Sequence, residues 1–157
     1  MFRVSAVNEL TDDVVEAVQR LLPQLSSSAR ALGRSELEEI VRSSATTLLV
    51  ARDEEVEAAA ADAENPHGPV VGMLTLVTFR IPTGVRAWIE DVVVDKSERG
   101  RGIGEALTQA ALEMAAARGA KTVDLTSRPS REVANRLYQR VGFELRDSNV
   151  YRHQLAP

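Results

Sequence analysis

Val92-Val93-Val94-Asp95-Lys96-Ser97-Glu98-Arg99-Gly100-Arg101-Gly102-Ile103-Gly104 reads as a β-strand that passes through a glycine-rich turn directly into a helix. Gly100, Gly102 and Gly104 have no Cβ to hold a ligand away, so several backbone N–H groups can converge on an anion at the positive end of the helix dipole. Arg99 and Arg101 add positive charge at the same place. The stretch has the make-up of a phosphate cradle.

Two nucleotide loops fail on spacing. A P-loop requires Gly-Lys-Ser/Thr after its second glycine, but Glu105 follows Gly104. A dinucleotide fingerprint requires a third glycine three residues after the second, where this chain has Glu105 or Leu107. What remains is Arg99, two residues, Gly102, one residue, Gly104.

That spacing resembles the acyl-CoA pyrophosphate loop of the GNAT superfamily of N-acetyltransferases. Trp88-Ile89-Glu90-Asp91-Val92-Val93-Val94 is similar to the central strand of that family, and Ala134-Asn135-Arg136-Leu137-Tyr138-Gln139-Arg140-Val141-Gly142-Phe143 to its last helix. The three motifs lie in the expected order in the C-terminal half. The N-terminal half matches only in its order of elements.

Composition sets the outer limits. A chain of 157 residues with 44% hydrophobic content suits one globular domain over residues 1–157, and a domain of this size buries roughly 70% of its unfolded surface. Without cysteine there is no disulfide, thiolate nucleophile or cysteine zinc site, and His67 and His153 lack a metal-ligand pattern. A net charge of -4 argues against nucleic acid as a partner. The N-terminus does not read as a signal peptide, and no stretch approaches the roughly 20 apolar residues of a membrane span. A cytoplasmic protein without a membrane partner is expected, and homodimerisation is left open.

Along the chain, Phe2 to Val7 suggests a strand, followed by a helix capped at Thr11 with Val14, Val18, Leu21 and Leu22 as its apolar side. Ser35 and Glu38 have capping-box spacing for a second, short helix. Strands are expected over 46–53, 70–80 and 85–95, then a helix over 102–118, a strand over 122–127, a helix over 130–141, and strands near 143–147 and 150–155. The acidic stretch with Asp53, Glu54, Glu55, Glu57, Asp62 and Glu64 reads as a solvated insertion or as an attractor for a cationic substrate. The expected class is mixed α/β with α+β character: a central mixed sheet of about 6–7 strands, splayed at its parallel pair and flanked by about four helices. Strand, helix, parallel strand puts the glycine turn at the C-terminal end of the strand, where open sheets bind ligands.

The resemblance implies acetyl transfer from acetyl-CoA, as acyl donor and without a metal, to a primary amine on a small molecule or peptide. It places the pantetheine arm along the backbone of Val92, Val93 and Val94, and the pyrophosphate on the turn of Arg99, Gly100, Arg101, Gly102, Ile103, Gly104 and Glu105. Asn135 would contact the pantetheine amides. A primary amine with a pKa of about 10.4 must lose a proton before it attacks. Glu90 is the candidate base through water, with Asp91 its competitor because strand neighbours point to opposite faces unless a bulge intervenes. Tyr138 is the candidate acid for the departing thiolate. Arg131 stands where many relatives have asparagine, and Arg128 could face acceptor or water. A non-catalytic acyl-CoA-binding module is the alternative from another class.

Overall fold

The computed structural model describes residues 1–55 and 67–156. Of the acidic stretch, Glu57, Asp62 and Glu64 lie outside the described residues. Two compact units, Met1–Thr126 and Ser127–Pro157, make up the chain.

The first unit contains β1 (Phe2–Ala6), α1 (Asp12–Leu25), α2 (Arg34–Arg42), β2 (Thr46–Asp53), β3 (Val70–Ile81), β4 (Gly84–Val94), a 3-10 turn (Lys96–Glu98), α3 (Ile103–Ala117) and β5 (Val123–Asp124). The strands form one mixed sheet in the order β1-β2-β3-β4-β5, antiparallel except for the parallel β4–β5 pair. The mixed α/β class is therefore as expected. Thr11 is the N-cap of α1, whereas α2 begins earlier than its Ser35/Glu38 signal. The Gly33 N–H donates to Glu36 at 3.0 Å, which satisfies an orphan donor at the helix start.

Each face of the sheet has its own helical cover. On one face Leu48, Val50, Met73 and Val93 join Val14, Val18 and Leu21 of α1 and Leu37 of α2 in a core cluster. The opposite face meets α3. A Cβ on Gly72 of β3 would lie 3.1 Å from Ile103 and 3.2 Å from Leu107, so the missing side chain lets the start of α3 approach the sheet. Leu74 and Leu76 alternate with Gly72 onto this face.

The second unit holds α4 (Glu132–Val141), which Gly142 ends in the left-handed conformation. The strands expected near 143–147 and 150–155 are not formed, so the described residues carry five strands instead of about 6–7. Leu145, Tyr151 and Leu155 are exposed there. An apolar alternation becomes a strand only when a neighbouring ladder and a covered face complete it, and the described residues supply neither.

Candidate active site

Strand β4 changes character halfway along. Its register on β3 pairs Glu90 with Thr75 and Val93 with Met73, so two residues of β4, Asp91 and Val92, oppose Leu74 alone. This is a β-bulge, and Asp91 sits in it at φ 49°. The bulge reverses the alternation: Ile89, opposite Leu76, faces α3, whereas Val93 lies in the α1/α2 core. Glu90 shares the α1/α2 side of the sheet with its neighbour Thr75. Its carboxylate is exposed and accepts the Trp88 indole N–H at 2.8 Å. Trp88 and Glu90 are an i, i+2 pair and so lie on one strand face.

On the other edge, β5 pairs with β4 only at Ala87–Val123 and Trp88–Asp124. From Ile89 to Val94 this edge of β4 has no ladder partner among the described residues, which is the splay at the parallel pair. Val93 is buried and Val92 and Val94 are half-buried beside it.

The end of β4 is fixed from α1. Asp95 donates its N–H to the Val71 carbonyl at 2.9 Å and pairs with Arg20, while Gln24 accepts the Lys96 N–H at 2.9 Å. The Asp95 carboxylate also caps the 3-10 turn by accepting the Ser97 N–H at 3.2 Å. Burial pushes its pKa up, but the Ser97 hydrogen bonds and the Arg20 charge outweigh that and hold it below the usual carboxylate value.

Gly100 and Gly102 then take φ 80° and 84°, and Gly102 is the N-cap of α3. These left-handed angles favour glycine, and a Cβ at either position would meet nothing within 4 Å. The space over the turn is open. The first intrahelical bond is Ala106 N–H to Gly102 at 3.0 Å, so the N–H groups of Ile103 and Gly104 precede the helical ladder. Ile103 packs its side chain beneath the turn, fully buried, and Glu105 is half-buried in the first turn. An open glycine surface at a helix N-terminus suits a diphosphate.

The two arginines differ. Arg99 is exposed and lies 3.4 Å from the Val94 carbonyl through Nε. Arg101 turns back to the sheet: it pairs with Asp53 at 2.8 Å, with Glu55 at 3.4 Å and with Glu98, and its guanidinium sits 4.6 Å from the Phe2 ring centre. Nothing in the sequence connects Arg101 with Asp53, 48 residues away.

In the second unit, Asn135 donates its side-chain N–H to the Arg128 carbonyl at 3.0 Å, and the Arg131 N–H reaches the same oxygen at 3.0 Å. The segment before α4 is thus tied by its own polar groups. Tyr138 is half-buried, edge-on to Phe143 at 5.8 Å. Burial raises the phenol pKa above its ordinary value, opposed by the charge of Arg131, so the hydroxyl stays protonated at neutral pH. Among the described residues no group of three His, Asp or Glu could hold a metal ion, and no helix is long and apolar enough to cross a membrane.

The family model for the acetyltransferase (GNAT) family matches residues 18–143. The chain belongs to the GNAT acetyltransferase family. The matched span takes in the bulged strand, the glycine turn and α4, so the resemblance read from three motifs extends across most of the chain. N-alpha-acetyltransferase 30 of Schizosaccharomyces pombe is 37% identical over 73 residues, which is 46% of this chain and 48% of that protein. The match therefore spans about half the length of that curated relative. A transcriptional regulator from Bacillus halodurans C-125 is 26% identical, with a TM-score of 0.76 over 98% of this chain and 100% of that one. The aminoglycoside N-acetyltransferase AAC(6')-Iy, solved in complex with CoA, has the same fold at 16% identity, with a TM-score of 0.74 over 99% of this chain and 96% of that one.

Proposed function

We propose that this GNAT member transfers an acetyl group from acetyl-CoA to a primary amine by direct attack in a ternary complex. The observation that carries the reading is the continuous run from the open edge of β4 into the turn at Gly100 and Gly102. An extended pantetheine arm can hydrogen-bond that edge as an added strand, with its diphosphate on the turn. Acetyl-CoA supplies an activated acyl group as a thioester.

The chain's own groups have separable roles. Along Val92, Val93 and Val94 the backbone groups that face the open edge orient the donor, and backbone N–H groups of the turn from Arg99 to Glu105 hold its phosphates. Backbone donors freed by the bulge polarise the acyl carbonyl, a pre-organised stabilisation of developing negative charge. Glu90, oriented by Trp88, takes the amine proton through water, and Tyr138 gives its proton to the leaving sulfur. Asn135 contacts the pantetheine amides. The CoA complex of AAC(6')-Iy supports the donor, and the names of the relatives point to protein N-termini or aminosugars as acceptor classes.

Incubation with radiolabelled acetyl-CoA and a panel of peptide, aminoglycoside and small alkyl amines tests the reading. Label transfer to one class is expected. Saturable CoA binding with no transfer to any acceptor would establish a binding module instead, and absence of CoA binding would remove the site.

A further inference from the structure

The turn that the proposed function assigns to phosphate contains an arginine whose charge points elsewhere. Arg101 lies between Gly100 and Gly102, the two residues with left-handed backbone, yet its guanidinium reaches across to Asp53 at the end of β2. Asp53 is 3% exposed, and its backbone N–H donates to the Pro69 carbonyl at 3.1 Å. Its other oxygen accepts the Glu55 N–H at 3.0 Å. Gly68 closes over it so tightly that a Cβ there would lie 2.2 Å from the Asp53 carbonyl oxygen. Asp53 is therefore a buried anchor held at both carboxylate oxygens. Glu98, in the 3-10 turn just before the cradle, holds the same Nη1 nitrogen of the guanidinium, and the Phe2 ring of β1 lies against the group.

Resting on the reading of the turn as a diphosphate site, we propose that Arg101 is a tether and not a phosphate ligand: the Asp53–Arg101–Glu98 bridge fixes the turn against the sheet so that its backbone N–H groups are pre-aimed. Three carboxylates surround Arg101, so an anion competing for it would have to leave Asp53 buried without its partner. Asp53 and Arg101 are positioning residues on this account. Arg99, exposed on the same turn, is the cation that remains for the ligand.

The two roles of Arg101 predict opposite signs. Asp53→Asn removes a negative charge near the anion site, so electrostatics alone would tighten CoA binding, as would release of Arg101 toward the phosphates. A tether predicts loosening instead, by roughly tenfold or more, because N–H contacts depend steeply on distance and angle. Arg101→Lys provides a second arm with little risk to folding. The guanidinium spreads two terminal nitrogens, Nη1 on Asp53 and Glu98 and Nη2 toward Glu55; an ammonium binds phosphate well as a point charge but has a single nitrogen for all three carboxylates, so a tether predicts loss and a phosphate ligand predicts retention.

Calorimetric titration of the full chain and both variants with CoA and with S-acetylpantetheine, which lacks the diphosphate, decides between them. We expect both variants to lose affinity for CoA while affinity for S-acetylpantetheine is unchanged. An unchanged or tighter CoA affinity in either folded variant overturns the tether. If the unmodified chain binds CoA no better than S-acetylpantetheine, the assignment of the turn to phosphate fails before the tether is reached.

Discussion

Ile89 and Val93 stand four residues apart on one strand and face opposite sides of the sheet. Ile89 lies across from Leu76 on the α3 face, and Val93 lies in the cluster with Val14, Val18 and Leu21. A regular strand would point both the same way. The extra residue at Asp91 makes the difference, and it separates the environments of Glu90 and Asp91 at the point where β4 loses its parallel neighbour.

Glu90→Gln is expected to slow acetyl transfer most between mildly acidic and neutral pH and to recover partly at high pH, where the amine no longer needs a base. Asp91→Asn is expected to leave that profile unchanged. Steady-state rates measured from pH 6 to 10 check both; the reverse pattern would move the base to Asp91.

Asp91 holds φ 49°, a region that aspartate tolerates and β-branched residues avoid. Asp91→Val should cost about 1–2 kcal/mol of stability or straighten the bulge, while Asp91→Gly should be close to neutral. Urea denaturation of the two variants gives the comparison. Equal stability of both would mean that the left-handed backbone is not maintained in solution.

Gly102→Val and Gly104→Val should both weaken CoA binding for different reasons. Gly102 needs φ 84°, so valine there also destabilises the fold by about 1–2 kcal/mol. Gly104 lies inside the first turn of α3, where valine obstructs the ligand with little backbone strain. Calorimetry with circular dichroism as control separates the two, and a folded Gly104→Val protein with native CoA affinity would exclude the diphosphate from the turn.

Tyr138→Phe is expected to retain acetyl-CoA binding and the edge contact to Phe143 while lowering single-turnover acetyl transfer by up to about a hundredfold. Rapid-quench measurement reads the step directly. An unchanged rate would reduce Tyr138 to packing.

Asp95 and Asp13 both have pKa values held below the usual carboxylate value: burial alone would raise them, but the Ser97 hydrogen bonds and the Arg20 charge outweigh it at Asp95, and hydrogen bonds with Thr11 and Arg52 together with the Arg52 charge outweigh it at Asp13. Groups with depressed folded pKa values stabilise the fold above their unfolded value, and that contribution disappears as pH falls through the folded value. Arg20→Met should therefore cost about 1 kcal/mol at pH 7, modest because Arg20 is nearly half exposed, and the deficit should shrink below about pH 4. Denaturant midpoints at pH 7 and pH 3 test it; a deficit that is equal at both would assign the loss to packing.

Features with a local cause can be read from the residues alone. Glycine at 100 and 102 is required by backbone angles that few other residues accept, so the turn and its place before a helix were legible from spacing alone. The same holds for α1 and α3, where apolar periodicity runs the length of each helix, and for the family, which three motifs in order were enough to suggest. Other features depend on residues far apart in the chain and emerge only when the strands pair. The bulge at Asp91 exists because Leu74 opposes two residues of β4, and a register between strands is not a property of either strand's sequence. Arg101 reads as one more cation on the cradle until the end of β2 brings Asp53 to 2.8 Å from it. The apolar alternation after Phe143 predicted strands that are not formed, because a strand is stabilised by the ladder and cover it meets and not by its pattern.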